Sequence, residues 1–255
     1  MGPLGPDGYH PLRSLMVALD GLADTVVARR APRRTVRCEG LDDTVNLAWQ
    51  ALDALERRTG QSLPLSIAID KGIPTQAGLG GGSSDAAAAL RAADRLYGLD
   101  LGDVALEQVA AEVGSDVPFF VRGGAQWAGG RGERLAPSRR PAFAAVIARP
   151  AARLSTGAVY GAFDRLPPPS AAEDSEAPDM PGLSSWVRND LWTAALGLAP
   201  EVARAARALR AAGAAATLLC GSGACVAGLC ADREAAQRVR AALAIEEAWV
   251  VSPAT

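Results

Sequence analysis

The sequence predicts an α+β protein of two lobes, residues 1–150 and 151–255, each an α/β sandwich. Three observations carry this. The chain has 255 residues, enough for one large domain or two small ones and for a core without disulfide or metal staples. Short alternating apolar runs, which suit strands with one buried face, are interleaved with longer runs of helical period. Hairpin-like strand pairs occur alongside strand–helix units.

In chain order, residues 1–14 are rich in glycine and proline and read as loop. Residues 25–29 and 34–38 read as short β-branched strands. Across 43–58, Val45, Ala48, Trp49, Leu52 and Leu55 recur at helical spacing, and Gly60 supplies a stop. Residues 65–70 alternate, with Leu65, Ile67 and Ile69 on one face of a strand. Residues 83–97 form the clearest helix: Ala86, Ala89, Leu90, Ala93 and Leu96 line one side, while Arg91, Asp94 and Arg95 take the other. Gly98 follows as its stop. A helix over 103–113 and strands over 117–121, 125–128 and 143–148 come next. Residues 167–182 pack five prolines among Ser, Ala, Asp and Glu and are expected to be a flexible surface insertion outside the core. A helix over 201–212 turns Arg204, Arg207 and Arg210 outward. Strands over 217–220 and 224–230 flank Gly221-Ser222-Gly223, and a helix over 233–243 leads to a strand over 248–252.

Composition excludes several functions. A formal net charge of −2 gives no basic field for nucleic acid. No apolar run reaches the roughly 18 residues of a membrane span, and the first residues lack the basic and apolar regions of a signal peptide. His10 is the one histidine, which rules out a histidine metal cluster and a second histidine for a triad. Lys71 is the one lysine beside 25 arginines and reads as a solvated strand-end residue. Cys38, Cys220, Cys225 and Cys230 fit no CxxC or zinc spacing and read as reduced thiols of a cytoplasmic protein.

The sharpest feature is Pro74-Thr75-Gln76-Ala77-Gly78-Leu79-Gly80-Gly81-Gly82-Ser83-Ser84-Asp85, placed between a strand and a helix. Gly78, Gly80, Gly81 and Gly82 permit positive φ and close backbone approach. Successive N–H groups, with the positive end of the following helix, suit a phosphate, and Ser83 and Ser84 add hydroxyls. An ordinary glycine turn with a serine cap is the plainer alternative. No lysine precedes the serines, so this is not a Walker A loop, and Ser83 stands where a dinucleotide fingerprint has its third glycine.

This loop resembles the P-x-x-x-G-L-G-(G)-G-S-S signature of the GHMP kinases. Asp7-Gly8-Tyr9-His10, the stretch from Ile69 to Pro74, Gly114-Ser115-Asp116-Val117-Pro118-Phe119, the stretch from Ser155 to Tyr160, Asn189-Asp190-Leu191 and the stretch from Gly221 to Cys225 are similar to the branch that phosphorylates 4-diphosphocytidyl-2-C-methyl-D-erythritol. The resemblance runs from about residue 7 to the end. It implies ATP as co-substrate with Mg²⁺, residues 74–84 around the ATP phosphates, and Asp116 as the catalytic base. It also implies Tyr9, His10, Thr156 and Tyr160 around the cytosine of a cytidine diphosphate-linked methylerythritol, through stacking and hydrogen bonding. Taken alone, Asp116 after a helix stop is more simply a cap or turn residue. A homoserine-kinase-like enzyme and a non-catalytic nucleotide-binding protein are the alternatives; the Asp7–His10 motif speaks against the first. The family carries a lysine in a P-A-K-x-N-L-x-L strand before the motif at Asp7. Neither Lys nor Asn occurs in residues 1–6, so the expectation is a start assigned too late and a cleft lacking that cation.

Overall fold

The structure, a computed structural model, describes residues 1–6, 8–41, 43–169 and 177–254. Asp7 of the motif at Tyr9–His10 lies outside them, as do residues 170–176 of the proline-rich stretch. The fold is α+β with two lobes.

In the first lobe, β1 (Ser14–Val17) and β2 (Leu19–Asp20) precede β3 (Thr25–Arg30) and β4 (Thr35–Cys38). A 3₁₀ turn, Asp43–Val45, leads to α1 (Leu47–Thr59), whose cap Asn46 accepts from the Ala48 amide at 2.9 Å. Then come β5 (Leu65–Asp70), α2 (Gly81–Tyr97) and α3 (Gly102–Val113). β5 is the middle strand between β3, antiparallel, and β4, parallel. Its alternation works as expected: Leu65, Ile67 and Ile69 are buried beneath α1 and α2 with Leu52, Leu55 and Leu90.

The chain continues through α4 (Val117–Arg122), β6 (Ala125–Gly129), β7 (Arg134–Pro137) and β8 (Ala144–Ala148). It ends with α5 (Thr156–Phe163), α6 (Leu183–Trp186), α7 (Trp192–Leu198), α8 (Pro200–Ala211), β9 (Ala216–Leu219), β10 (Val226–Cys230), α9 (Arg233–Ala242) and β11 (Ala248–Pro253). β1–β6–β7 form one antiparallel sheet, and β2–β11–β8–β10–β9 a second. Every residue of β8 and β10 is buried. One face of this sheet, with Val146 and Val226, meets the helices of the second lobe. The other, with Ile147 and Cys225, meets Ala77 and Leu79 of the glycine loop. β8 ends at Ala148, two residues before the expected boundary, and pairs with β10 and β11 of the later chain.

Several sequence expectations change. Residues 117–121 form a helix, not a strand. Val117, Pro118, Phe119 and Val121 are all buried, so no face of the run is polar enough to show a helical period, and Pro118 suits a helical first turn. α5 was hidden within the motif 155–160, although Ser155 caps it by accepting from the Ala158 amide at 3.2 Å. The proline-rich stretch is not wholly outside the core. Ala177 is buried against the five-stranded sheet, and Asp179 ties to Arg139 and to the Ala142 amide.

Candidate active site

The glycine loop leaves β5 and enters α2 two residues earlier than its pattern suggests. Of its four glycines, Gly78 (φ 73°) and Gly80 (φ 71°) hold left-handed backbone, as does Gln76 (φ 55°) before them; Gly81 and Gly82 belong to the helix. Gly80 is the N-cap and offers no side chain, and no acidic residue sits in the first turn. The opening N–H groups of a 17-residue helix therefore face outward without an internal anion, as a phosphate site requires. Half-buried Pro74 and exposed Thr75 and Gln76 form the approach, and Ala77 is buried. Ser84 is turned inward, its hydroxyl donating to the Gly81 carbonyl at 2.8 Å. Ser83 keeps its hydroxyl clear of any such bond among the described residues.

The loop is clasped from the second lobe. The Cys225 amide donates to the Ala77 carbonyl at 3.2 Å. A Cβ on Gly78 would overlap the Cys220 carbonyl oxygen, and one on Gly221 would come within 2.8 Å of the Gly78 carbonyl oxygen. The two turns meet backbone to backbone, which explains glycine on both sides.

Asp116 stands at the N-cap of α4, yet its carboxylate makes no capping hydrogen bond. One turn on, the Phe120 ring lies over Gly80, where a Cβ would come within 2.6 Å of Cζ. α4 thereby sets Asp116 beside the phosphate loop. On its other side a Cβ on Gly132 would be 3.4 Å from Asp116 Oδ1. The carboxylate reaches solvent, but the protein crowding around it removes enough water to raise its pKa above the ordinary value.

The residues expected at a base gather on α5 and the loop before β1. The His10 ring is stacked on Tyr160, with centroids 5.6 Å apart and planes tilted by 32°, and meets the edge of Phe163 at 5.5 Å. Burial, and then the negative charge of Asp116, raise the Tyr160 hydroxyl, so this group lies within electrostatic reach of the carboxylate. His10 is buried and already engaged. Nδ1 lies 2.9 Å from the Gly2 carbonyl, which can only accept, so Nδ1 carries the proton. Nε2 lies 2.8 Å from Asp164 Oδ1, at ion-pair distance but off the line of a hydrogen bond. Tyr9 is exposed, with the Arg131 guanidinium 4.7 Å over its ring. Thr156 faces Ser222, hydroxyl to hydroxyl at 3.0 Å. Sequence reasoning missed Arg131 and Asp164; the dense glycines of 129–132 were the available signal for the first.

Lys71 is not solvated. Its ammonium donates to Asp24 Oδ2 at 2.5 Å and to Asp85 Oδ2 at 2.7 Å, and Asp24 Oδ1 accepts from the Ile73 amide at 2.7 Å. This cluster lies under the first turns of α2, where a Cβ on Gly81 would be 3.2 Å from Lys71 Nζ. Burial outweighs the lysine and raises Asp85 to about 6. The two carboxylates in turn hold Lys71 above its ordinary value despite its own desolvation.

Residues 46–124 match the GHMP kinases N terminal domain and residues 171–247 the GHMP kinases C terminal domain. The 4-diphosphocytidyl-2-C-methyl-D-erythritol kinase of Rhodococcus jostii is 42% identical, over 96% of this chain and 84% of its own length. That of Streptomyces avermitilis is 42% identical, over 95% and 87%. A crystal structure of 4-(cytidine 5'-diphospho)-2C-methyl-D-erythritol kinase aligns with a TM-score of 0.80 at 32% identity, covering 100% of this chain and 94% of that one. Homoserine kinase from Cytophaga hutchinsonii, at a TM-score of 0.73 and 21% identity over 93% of this chain and 88% of its own, shares the fold. Domain matches over both lobes and this identity along nearly the whole chain make it a member of the GHMP kinases, in the 4-diphosphocytidyl-2-C-methyl-D-erythritol kinase family.

Proposed function

We propose that this chain transfers the γ-phosphoryl group of ATP to the 2-hydroxyl of 4-diphosphocytidyl-2-C-methyl-D-erythritol, a step of non-mevalonate isoprenoid biosynthesis in the cytoplasm. The observation that carries the reading is Asp116: a carboxylate at a helix start, unused as a cap, one turn from the ring that covers the phosphate loop. The N–H groups of residues 81–83 and the positive end of α2 hold the phosphates and offset their charge. Asp116 accepts the proton of the attacking hydroxyl, and its raised pKa makes it a stronger base than an ordinary carboxylate. Tyr9, backed by Arg131, and Tyr160, backed by His10, offer aromatic faces to a pyrimidine. A base that hydrogen-bonds to Nδ1 of His10 displaces the Gly2 carbonyl.

Mg²⁺ belongs to the same reading. Among the described residues no three His, Cys, Asp or Glu side chains cluster around one point. The donor set fits an ion carried by the phosphates and water, with the Ser83 hydroxyl as a protein oxygen at the helix start. Once bound, such an ion neutralises charge on the transferring oxygens. No described helix is long and apolar enough to cross a membrane, and all four cysteines are thiols.

The test is an ATP-consumption assay with the cytidyl substrate beside homoserine, paired with thermal shifts. Turnover of the first and stabilisation by CDP are expected. Stabilisation by homoserine but not CDP would overturn the substrate, and nucleotide binding with no turnover of any acceptor would overturn the kinase reading.

A further inference from the structure

Two sequence motifs, Asn189-Asp190-Leu191 and Gly221-Ser222-Gly223, have no part in the reaction above, and the structure joins them. The Asn189 carboxamide is fully engaged. Its Nδ2 donates to the Leu219 carbonyl at 2.9 Å and to the Gly221 carbonyl at 2.7 Å, while Oδ1 accepts from the Leu191 amide at 2.9 Å. The Oδ1 bond is an ordinary local turn before α7. The Nδ2 bonds are different: they cross 30 and 32 residues of sequence and grip the end of β9 and the first residue of the turn. Ser222, at the tip, is held to α5 by its bond to Thr156.

On the far side of this turn lies the phosphate loop. The Gly78 backbone packs on Cys220 and Gly221 with no room for a methyl group on either face, and the Cys225 amide bonds the Ala77 carbonyl. Beyond Asn189 itself the path contains only backbone, so a shift of the turn passes to the loop without a flexible side chain to absorb it. Left-handed backbone at Gly78 and Gly221 fixes both partners in one shape.

We infer that Asn189 is a positioning residue for the nucleotide, acting through the turn 221–223 on the loop that receives the ATP phosphates. The inference rests on the reading of residues 78–84 as that phosphate site. Asn189→Asp separates its two uses. The variant keeps an oxygen for the Leu191 amide, loses both donors, and sets a carboxylate against two carbonyl oxygens.

The experiment measures steady-state kinetics with each substrate varied, beside urea denaturation. KM for ATP should rise about tenfold, the scale of losing two hydrogen bonds, one part-buried and one exposed, and setting a charge against their acceptors. KM for the cytidyl substrate should change less than KM for ATP, because that side rests on α5 and the loop at Tyr9 and meets the turn only through the Ser222–Thr156 hydroxyl contact. If Asn189→Asp does not fold, Asn189→Ser carries the same expectation: a hydroxyl can still serve the Leu191 amide but is too short to reach both carbonyls. Unchanged constants overturn the inference. So does a parallel change in kcat and both KM values that tracks lost stability, since that marks a merely structural role. Calorimetry of ATP binding to Gly81→Val tests the underlying reading separately. If that variant binds ATP as the parent does, the phosphate site lies elsewhere and both readings fall; if it does not and Asn189→Asp is kinetically silent, only the role of Asn189 is lost.

Discussion

Replacing Gly78 by alanine puts one methyl group into the backbone contact that joins the lobes. At φ 73° the left-handed backbone costs an alanine about 1 kcal/mol. The methyl carbon would overlap the Cys220 carbonyl oxygen and sit 2.9 Å from both the Cys220 carbonyl carbon and the Gly223 nitrogen, against 3.4 Å for ordinary contact. Relieving the overlap with the Cys220 carbonyl oxygen makes the turn retreat by roughly 1 Å or more, which costs roughly 1–3 kcal/mol in a packed region. The Cys225–Ala77 bond, already 3.2 Å long, adds about 1 kcal/mol when lost. The sum is about 3–5 kcal/mol. Gly98→Ala is the control: φ is 63° and nothing lies near the added Cβ, so only the backbone cost of about 1 kcal/mol applies. Urea denaturation by linear extrapolation resolves that difference, and KM for ATP should rise for Gly78→Ala alone. Equal stability of the two variants, or an unchanged KM for ATP, would refute the reasoning that this contact shapes the phosphate loop.

Asp116→Asn should lower kcat about 100-fold or more with ATP affinity unchanged by calorimetry. In the parent, the acid limb of the pH–rate profile should lie above the ordinary carboxylate range, because the base is lost as pH falls through its raised pKa. Asp85 works the other way on stability. Its folded pKa of about 6 lies above the ordinary 3.8, so its contribution is full below the lower value and is lost as pH rises through the higher one. Asp85→Asn should therefore flatten the fall in urea stability between about pH 4 and 7; a slope equal to the parent's would rule this out. Arg131→Ala should weaken CDP binding several-fold, roughly the worth of an exposed cation–π contact, and leave KM for ATP alone.

The parts of the fold that show in the sequence are those with one polar face. α2 and β5 carry clean periods because solvent meets one side and the core the other. α4 carries none, because Val117, Pro118, Phe119 and Val121 are all buried, and a five-residue apolar run cannot declare its own period. The phosphate loop was legible from its glycines, but which of them hold positive φ was not: Gly81 looks like Gly80 until the helix start is known. Asp116 was legible only through its motif, since its unused cap position is a matter of geometry. The cluster at Lys71 was hidden because Asp24 lies 47 residues away, and local pattern carries no information at that range. Arg131 reaches Tyr9 through a hairpin for the same reason.

The lone lysine bears on which cation each basic position accepts. In a chain with 25 arginines and one lysine, a guanidinium serves at nearly every basic position. Lys71 marks a place where it is not. Its ammonium sits between Asp24 and Asp85 with 15% of the side chain exposed, under a glycine helix start. A planar fork of five donors is too wide for two carboxylates that each need one proton from a point charge. Every other basic position of the chain, His10 aside, is an arginine. In relatives equally poor in lysine, the lysines present should therefore map charge sites closed by packing, a survey that needs only sequences.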